Sequence, residues 1–152
     1  MKKSKYLNVN NIISKQRHIN FIIGERGVGK TFGFLNWCVN RALKYGEEFI
    51  YVRRRQSELD TVKELLNPLK QLDRYKDCEF ELKGYTFYCD GKVIGHMAAL
   101  STSHHFKGTA FPNVKHMIYD EFLYEKGNVN KELKMEVHKF YNFLETCFRD
   151  RD

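Results

Sequence analysis

The chain has 152 residues, of which 42% are hydrophobic and 30% are charged, with 12 Phe and 9 Tyr. This balance is typical of a single folded domain with an aromatic core, and it excludes a disordered or low-complexity chain. No apolar run reaches the roughly 20 residues that a membrane-spanning helix needs, so we expect no membrane contact. The net charge of +7 favours a polyanionic partner such as nucleic acid.

The cysteines and the basic cluster are less informative. The chain contains four cysteines, which lie far apart in sequence and form no C-x-x-C pair: Cys38, Cys78, Cys89 and Cys147. We predict reduced thiols rather than a disulfide framework or a zinc site. The run of three arginines at 53–55 is typical of a solvated face and is weak support for nucleic acid binding by itself.

In the first half of the chain, strands and helices are predicted to alternate. The apolar run "INFIIG" at 19–24 predicts a buried strand, and apolar residues at helical spacing predict a helix from Lys30 to about Gly46. "EFIYVRR" at 48–54 predicts a second buried strand. Ser57 is a suitable N-cap for a following helix, which Pro68 is expected to end or kink.

In the second half, residues 78–99 predict short strands with a hairpin turn at Asp90 and Gly91. "VKHMIYDEF" at 114–122 predicts another buried strand, and the apolar spacing within 137–148 predicts an amphipathic helix. Together these elements predict an α/β fold with a mostly parallel sheet flanked by helices and a small β-hairpin insertion.

The stretch "GERGVGKT" matches G-x-x-x-x-G-K-[ST], the Walker A pattern, between the predicted strand and the predicted helix. The glycines let backbone N–H groups point at phosphate oxygens, and the helix N-terminus adds partial positive charge. We therefore predict a nucleotide-binding loop rather than a hinge or a chance cluster of glycines. Its candidate residues are Gly24, Glu25, Arg26, Gly27, Val28, Gly29, Lys30 and Thr31, where Lys30 reaches the β- and γ-phosphates and Thr31 binds Mg²⁺.

Two acids, Asp120 and Glu121, follow the predicted strand at 114–122. Asp120 is placed to bind phosphate-associated Mg²⁺, as a Walker B acid does, and Glu121 is placed to orient and polarise an attacking water. An acid pair can also simply solvate a strand end. Because this pair follows an apolar strand in a chain with a phosphate loop, we predict ATP hydrolysis with water as the nucleophile.

Hydrolysis also needs a cation in the transition state, commonly an arginine from a neighbouring subunit. The candidates for this trans-acting role are Arg149, Arg151 and Lys107, each of which has a solvated-surface alternative. Arg26, inside the loop, either contacts the nucleotide or pairs with Glu25.

Several segments resemble the ATPase domain of the prohead-RNA-dependent DNA-packaging motors of podophages. They are "LNVNNIISKQRHINFIIGERGVGKTF", "RALKYGEEFIYVRRRQSEL", "FYCDGKVIG", "AFPNVKHMIYDEFLYEK" and "CFRDRD". The resemblance implies a P-loop NTPase of the additional-strand, catalytic-glutamate (ASCE) type that uses ATP and Mg²⁺. It also implies a ring, as a pentamer, that moves double-stranded DNA, and it assigns the arginine finger to Arg149.

By the same resemblance, the motor would bind the portal (connector) protein and packaging RNA at the procapsid portal vertex, in the cytoplasm of the infected bacterial host. The resemblance leads us to expect a lysine where this chain has Gln56, so no role is carried over to that position.

Members of the family continue into a further strand and a nuclease-like domain, so we predict that residues 1–152 form one ATPase domain truncated before these parts. Alternatively, the two strands that flank the missing one pair directly. Two other functions remain: a generic ring ATPase such as a helicase or helicase loader, and a nucleotide-gated nucleic-acid-binding module.

Overall fold

The structure, a computed structural model of the chain, describes residues 7–123 and 133–149. Within them lie four α-helices: α1 Val9–Ile13, α2 Lys30–Tyr45, α3 Gln56–Leu59 and α4 Glu136–Phe148. The strands are β1 Glu48–Arg53, β2 Phe80–Lys83, β3 Thr86–Cys89, β4 Lys92–Ala99 and β5 Val114–Tyr119. Short 3₁₀ helices occupy much of the connections at Asp60–Val62, Asn67–Gln71, Asp73–Tyr75 and Leu100–Phe106. No helix in these residues is long and apolar enough to cross a membrane.

The five strands form one mixed sheet in the order β2-β3-β4-β1-β5. β1 pairs in parallel with β4 and β5, whereas β2, β3 and β4 pair antiparallel as a meander. The turn at Asp90 and Gly91 is confirmed, but β4 continues from it into the centre of the sheet. The hairpin is therefore part of the main sheet rather than an insertion, and the prediction of a mostly parallel sheet is wrong.

The sheet is covered on both faces, and β1 supplies alternate side chains to each. Phe49 and Tyr51 are buried in a cluster with the apolar face of α2. Ile50 and Val52 are buried in a second cluster, which contains Phe143 of α4. A central parallel strand needs apolar residues at every position because both of its faces are buried.

Glycine determines both ends of α2. Gly29 at the N-cap has φ +73° and Gly46 at the C-cap has φ +70°, a left-handed region that other residues rarely adopt. The predicted helix from Lys30 to Gly46 and the strand after it are confirmed. The strand predicted at 114–122 and the helix predicted at 137–148 are also confirmed, within a few residues at their ends.

The helix predicted after Ser57 is wrong. The α-helix has only four residues, and its N-cap is Arg55, whose backbone N–H donates to the Glu58 carboxylate. The chain continues as 3₁₀ turns, and Pro68 lies in the first turn of one of them rather than at a helix end. The leucines at helical spacing in this stretch pack onto the α2 face of the sheet from these tighter turns.

The strand predicted at 19–24 does not form. In the described residues no strand pairs with this segment, and most of its apolar side chains are exposed, with Phe21 68% and Ile23 70% accessible. The backbone groups of a strand need a neighbouring strand as hydrogen-bond partner. Within the part of the chain that the structure describes, the sheet ends at β5 on this side, and no further strand lies between β5 and the 19–24 segment.

Because residues 19–24 form no strand, two predictions are wrong. The ASCE P-loop fold, which requires a sheet strand before the loop, is wrong for this structure. Direct pairing of residues 19–24 with β5 is likewise not found, whereas truncation of a longer domain stays a prediction.

Gly95 lets β4 lie close to β1. A Cβ at this position would lie 2.7 Å from the carbonyl oxygen of Phe49 and 2.8 Å from two carbons of its ring. The Phe49 ring also stacks with that of Phe87, whose centroid is 5.8 Å away.

Candidate functional site

The candidate site is built where the carboxyl ends of β1 and β5 meet. Val52 pairs with Tyr119, and the backbone N–H of Asp120 donates to the Val52 carbonyl at 3.1 Å. The residues that follow the two strands therefore lie side by side, Arg53 and Arg54 beside Asp120 and Glu121. This edge of the sheet also faces the start of α2.

Asp120 joins β5 to α2 and to β1 through hydrogen bonds. Its Oδ2 accepts from the Thr31 hydroxyl at 2.9 Å and from the Tyr51 hydroxyl at 2.8 Å. Burial and the nearby Asp120 carboxylate raise the pKa of Tyr51, so its hydroxyl keeps the proton that it donates. The predicted pair of Thr31 and Asp120 is thus brought together by three elements.

The glycine loop, residues 24–31, curves around the side chain of Lys30. Lys30 Nζ donates to the carbonyl oxygens of Gly24 at 2.7 Å and Glu25 at 2.6 Å. Gly27 and Gly29 have φ of +81° and +73°, which lets the chain turn tightly. Except for the half-buried 28–31 the loop is exposed, as an anion-binding loop must be, and Arg26 lies in its turn.

Glu121 is held by an arginine that the sequence analysis did not select. Arg53 Nη2 lies 2.7 Å from Glu121 Oε2 and 3.0 Å from Glu58 Oε1, so one guanidinium nitrogen contacts two acids. Arg53 is buried, whereas the Glu121 side chain is 64% exposed. Burial opposes the charge of Arg53, but its hydrogen bonds with Tyr51 and Glu58 outweigh this and raise its pKa.

The backbone of Glu121 is also unusual. Its φ of +52° is left-handed, and its N–H donates to Asp120 Oδ1 at 3.0 Å. Non-glycine residues in this region are uncommon and occur preferentially at functional sites, where surrounding contacts maintain them.

A second buried arginine ties the site to α4. Arg54 Nε donates to Glu136 Oε1 at 2.8 Å, and Arg54 Nη2 donates to the carbonyl oxygen of Phe122 at 2.6 Å. Tyr119 and the backbone N–H of Leu133 donate to the same Glu136 carboxylate. The first turn of α4 is therefore bonded to the segment that carries Glu121.

The candidate trans-acting cations lie outside this cluster. Lys107 is the exposed C-cap of the 3₁₀ helix Leu100–Phe106, and Arg149 is the exposed C-cap of α4. Arg151 lies outside the described residues. A trans role needs a second subunit, so the geometry of one chain leaves these three residues as predictions.

Sequence reasoning treated the basic cluster at 53–55 as a solvated face, which is wrong for two of its members. Arg53 and Arg54 are only 8% and 5% exposed and pair with acids. The available signal was their position directly after a buried parallel strand, because parallel strands bring their carboxyl ends together. That rule pairs these arginines with the acids after the next parallel strand.

Comparison with known proteins gives this geometry its context. The family model of the Podovirus DNA encapsidation protein (Gp16) matches residues 1–152. The chain belongs to this family. It is 41% identical over 152 residues to the DNA packaging protein of Bacillus phage phi29, covering 100% of this chain and 45% of that protein. The chain thus spans less than half the length of this relative.

Two solved structures are similar over nearly the whole chain. The N-terminal domain of the DNA packaging ATPase from bacteriophage phi29 superposes with a TM-score of 0.86 at 40% identity, covering 97% of this chain and 74% of that one. A chain of the phi29 genome packaging motor assembly superposes with a TM-score of 0.84 at 40% identity, covering 98% of this chain and 45% of that one.

These comparisons correct the identification made from sequence. The resemblance predicted the ATPase domain of a packaging motor, whereas the chain matches the encapsidation protein family and the N-terminal domain of its phi29 relative. The identification as an ATPase domain with Walker motifs is therefore wrong. The assignment to the ASCE fold is wrong for the same reason, because the match is to that N-terminal domain and the sheet is mixed. What the comparisons show is membership of the family of Podovirus DNA encapsidation proteins.

Proposed function

We propose that this chain binds ATP with Mg²⁺ at the glycine loop and hydrolyses it within a bacteriophage DNA-packaging motor. The observation that carries the proposal is the convergence of Thr31, Asp120 and Lys30 beside an arginine-held Glu121 at one edge of the sheet. These residues come from three separate stretches of the chain, and together they supply a cation, a pair of metal-binding oxygens and a base.

The Thr31 hydroxyl and the Asp120 carboxylate suit Mg²⁺. Both are hard oxygen donors, and their oxygens are 2.9 Å apart. Adjacent ligands of an octahedral Mg²⁺ at about 2.1 Å are separated by about 3 Å, so the two oxygens match one edge of such a site. Bound Mg²⁺ would neutralise charge on the phosphates. Tyr51 keeps the carboxylate in place through its own hydrogen bond.

Lys30 supports phosphate binding by the glycine loop. Its ammonium group lies inside the loop, bonded to two carbonyl oxygens that a phosphate oxygen can replace. The backbone N–H groups of Gly27, Val28 and Gly29, before and at the N-cap of α2, add partial positive charge. Glu25 and Arg26 lie in the same loop and complete the proposed nucleotide-contacting set.

Glu121 is proposed as the general base that orients and polarises water. Its carboxylate is exposed, and Arg53 holds it in position through a contact of 2.7 Å. The Glu121 oxygen that faces Arg53 is engaged in this ion pair, so it can contact water fully only when the pair opens. We therefore propose that Arg53 is a positioning residue and that release of Glu121 from Arg53 accompanies turnover.

At the level of the motor, we propose a homo-oligomeric ring, a pentamer, that translocates double-stranded DNA. Portal protein and packaging RNA would be its partners at the procapsid portal vertex in the cytoplasm of the infected host. Arg149, and with it Arg151 or Lys107, would act on the site of a neighbouring subunit, Arg149 as the arginine finger. Family membership and the structural match to a phi29 packaging motor assembly favour this role over a helicase, a helicase loader or a nucleotide-gated binding module.

The test is the substitution Glu121→Gln, with Glu64→Gln at an exposed acid as the matched control. We expect Glu121→Gln to bind ATP with unchanged affinity and to lose turnover by about 10²–10⁴-fold, the usual contribution of a general base. Binding is measured with a fluorescent ATP analogue and turnover by phosphate release. Turnover of Glu121→Gln near the wild-type rate would remove the proposed catalytic role.

A further inference from the structure

Two cysteines and an aspartate meet at the far edge of the sheet from the glycine loop. Phe80 of β2 pairs with Cys89 of β3. The pairing extends past the strand end, because the backbone N–H of Asp90 donates to the Glu79 carbonyl at 2.9 Å. Cys78 then lies two residues before Phe80, on the same face as Cys89. Residues that are distant in sequence are thus brought into one cluster.

The ligand atoms of this cluster are close enough to share one ion. The Cys78 Sγ, Cys89 Sγ and a carboxylate oxygen of Asp90 all lie within 4.8 Å of one another. Cys89 Sγ is 3.8 Å from Asp90 Oδ2. In a tetrahedral zinc site with Zn–S of about 2.3 Å and Zn–O of about 2.0–2.2 Å, neighbouring ligand atoms are separated by roughly 3.5–3.8 Å.

We propose that Cys78, Cys89 and Asp90 bind a thiophilic divalent cation of the zinc type. Three protein ligands leave the fourth tetrahedral position to water. The carboxylate is already oriented for this role, because its Oδ1 accepts the backbone N–H of Glu79 at 2.8 Å while Oδ2 faces the thiol. Such bonds from outside the ligand set are typical of metal sites.

The geometry favours a shared ion over a disulfide. Cys78 lies two residues before Phe80, the partner of Cys89. If the pairing continues past the strand end, the two cysteines are diagonal neighbours, which are roughly 7–8 Å apart. Disulfides need Cα atoms at roughly 4.4–6.8 Å, so bridging these two residues directly would require the backbone to move. Both are free thiols in the structure.

The cluster is separate from the proposed Mg²⁺ site and differs from it in chemistry. β2 and β3 form one side of the sheet and β5 the other. Thiolate ligands select soft cations, whereas the hydroxyl and carboxylate oxygens of Thr31 and Asp120 select Mg²⁺. A cation bound at the cluster would fasten the turn that follows the 3₁₀ helix Asp73–Tyr75 to the β2–β3 hairpin.

The experiment is a titration of the reduced chain with Co²⁺, followed by Zn²⁺. We expect one equivalent of Co²⁺ to produce the absorption of tetrahedral cobalt–thiolate, and Zn²⁺ to displace it. Cys78→Ser, at a half-buried position, should abolish the absorption, and Asp90→Asn should weaken binding about tenfold or more. Cys38→Ala is the matched control at a buried thiol outside the cluster and should bind Co²⁺ as the wild type does.

The melting temperature provides an independent readout. Zn²⁺ should raise it in the wild type relative to the same protein with chelator, because an ion that binds only the folded state stabilises that state. The shift should disappear in Cys78→Ser. Three results would overturn the proposal: no cobalt–thiolate absorption in the wild type, absorption unchanged in Cys78→Ser, or formation of a Cys78–Cys89 disulfide as the stable form.

Discussion

At the scale of single residues, the guanidinium of Arg53 is the group on which the candidate site depends most. It is buried at the end of a central strand and contacts both Glu58 and Glu121 through one nitrogen. Glu58 anchors it from α3, so the guanidinium has little freedom to follow Glu121 if that side chain moves. The position of the proposed base is therefore defined by a residue that itself contacts no phosphate in the proposed complex.

We predict that Arg53→Lys lowers kcat for ATP hydrolysis by about 10²-fold, because a misplaced catalytic group has an effect of that order. KM for ATP should change little, since the phosphate-binding loop is untouched. Steady-state phosphate release measures both values, and Arg17→Ala, at an exposed basic residue, is the control. A rise in KM with unchanged kcat would show that Arg53 acts in nucleotide binding instead.

At the scale of elements, the contact between β1 and β4 depends on the absence of a side chain at Gly95. A methyl group there meets the Phe49 carbonyl and ring, and backbone cannot move aside as a flexible side chain can. We predict that Gly95→Ala lowers the free energy of unfolding by about 1–3 kcal/mol through overpacking. Urea denaturation measures this free energy of unfolding. Gly24→Ala, where the added methyl meets open space, should leave the free energy of unfolding nearly unchanged.

The junction between α4 and the sheet should be sensitive to acid. Burial opposes the charge of Glu136, but hydrogen bonds from Tyr119, the Leu133 backbone and Arg54 outweigh it and lower its pKa. Because the pKa of Glu136 is lowered by folding, its carboxylate stabilises the fold at pH values above its ordinary pKa, about 4.3. This stabilisation is lost as the pH falls through the lower pKa of the folded state.

We predict that Glu136→Gln lowers the free energy of unfolding by about 3 kcal/mol at pH 7, because it leaves Arg54 buried without its carboxylate. The difference between wild type and variant should shrink as the pH falls below 4. Urea denaturation across pH 3–7 measures it, and Glu145→Gln, on the exposed face of the same helix, is the control. An equal pH dependence of the free energy of unfolding in the wild type and Glu136→Gln would contradict a stabilising role of the Glu136 carboxylate.

An element could be predicted from sequence when the residues that stabilise it lie close to it in the chain. α2 has its apolar spacing and both glycine caps within its own residues, so its bounds were predictable. The 19–24 segment has the composition of a strand, but forming one needs a neighbouring strand, and no local pattern shows whether a neighbour exists. The long helix predicted after Ser57 failed because its leucines are equally well buried from 3₁₀ turns.

The residues of the candidate site also fall into a group that sequence predicts and a group that it does not. Lys30, Thr31, Asp120 and Glu121 were selected because each occurs in a short local pattern, and the structure places Thr31 in contact with Asp120. Tyr51, Arg53 and Arg54 belong to no such pattern. Their roles come from the register between β1 and β5, which only pairing of the strands determines.

At the scale of the whole molecule, the net charge of +7 bears on the proposed handling of DNA. With Arg53 and Arg54 neutralised by internal acids, DNA contacts must come from exposed basic residues elsewhere. We predict that affinity for duplex DNA falls steeply with salt, with about 0.9 added to the logarithmic slope for each phosphate neutralised. Fluorescence anisotropy over a range of NaCl concentrations measures the slope. A flat dependence would contradict gripping of the phosphate backbone.

The exposed side chains of Phe21 and Ile23 have a practical consequence for such measurements. Phe21 lies against Phe122, which follows β5, with ring centroids 5.8 Å apart, so the apolar surface continues to this half-buried ring. Apolar surface of this kind promotes colloidal association, which the positive charge of the molecule opposes at low ionic strength. Salt that weakens DNA binding also screens this repulsion. Light scattering recorded in parallel with each salt titration therefore separates release of DNA from precipitation of the protein.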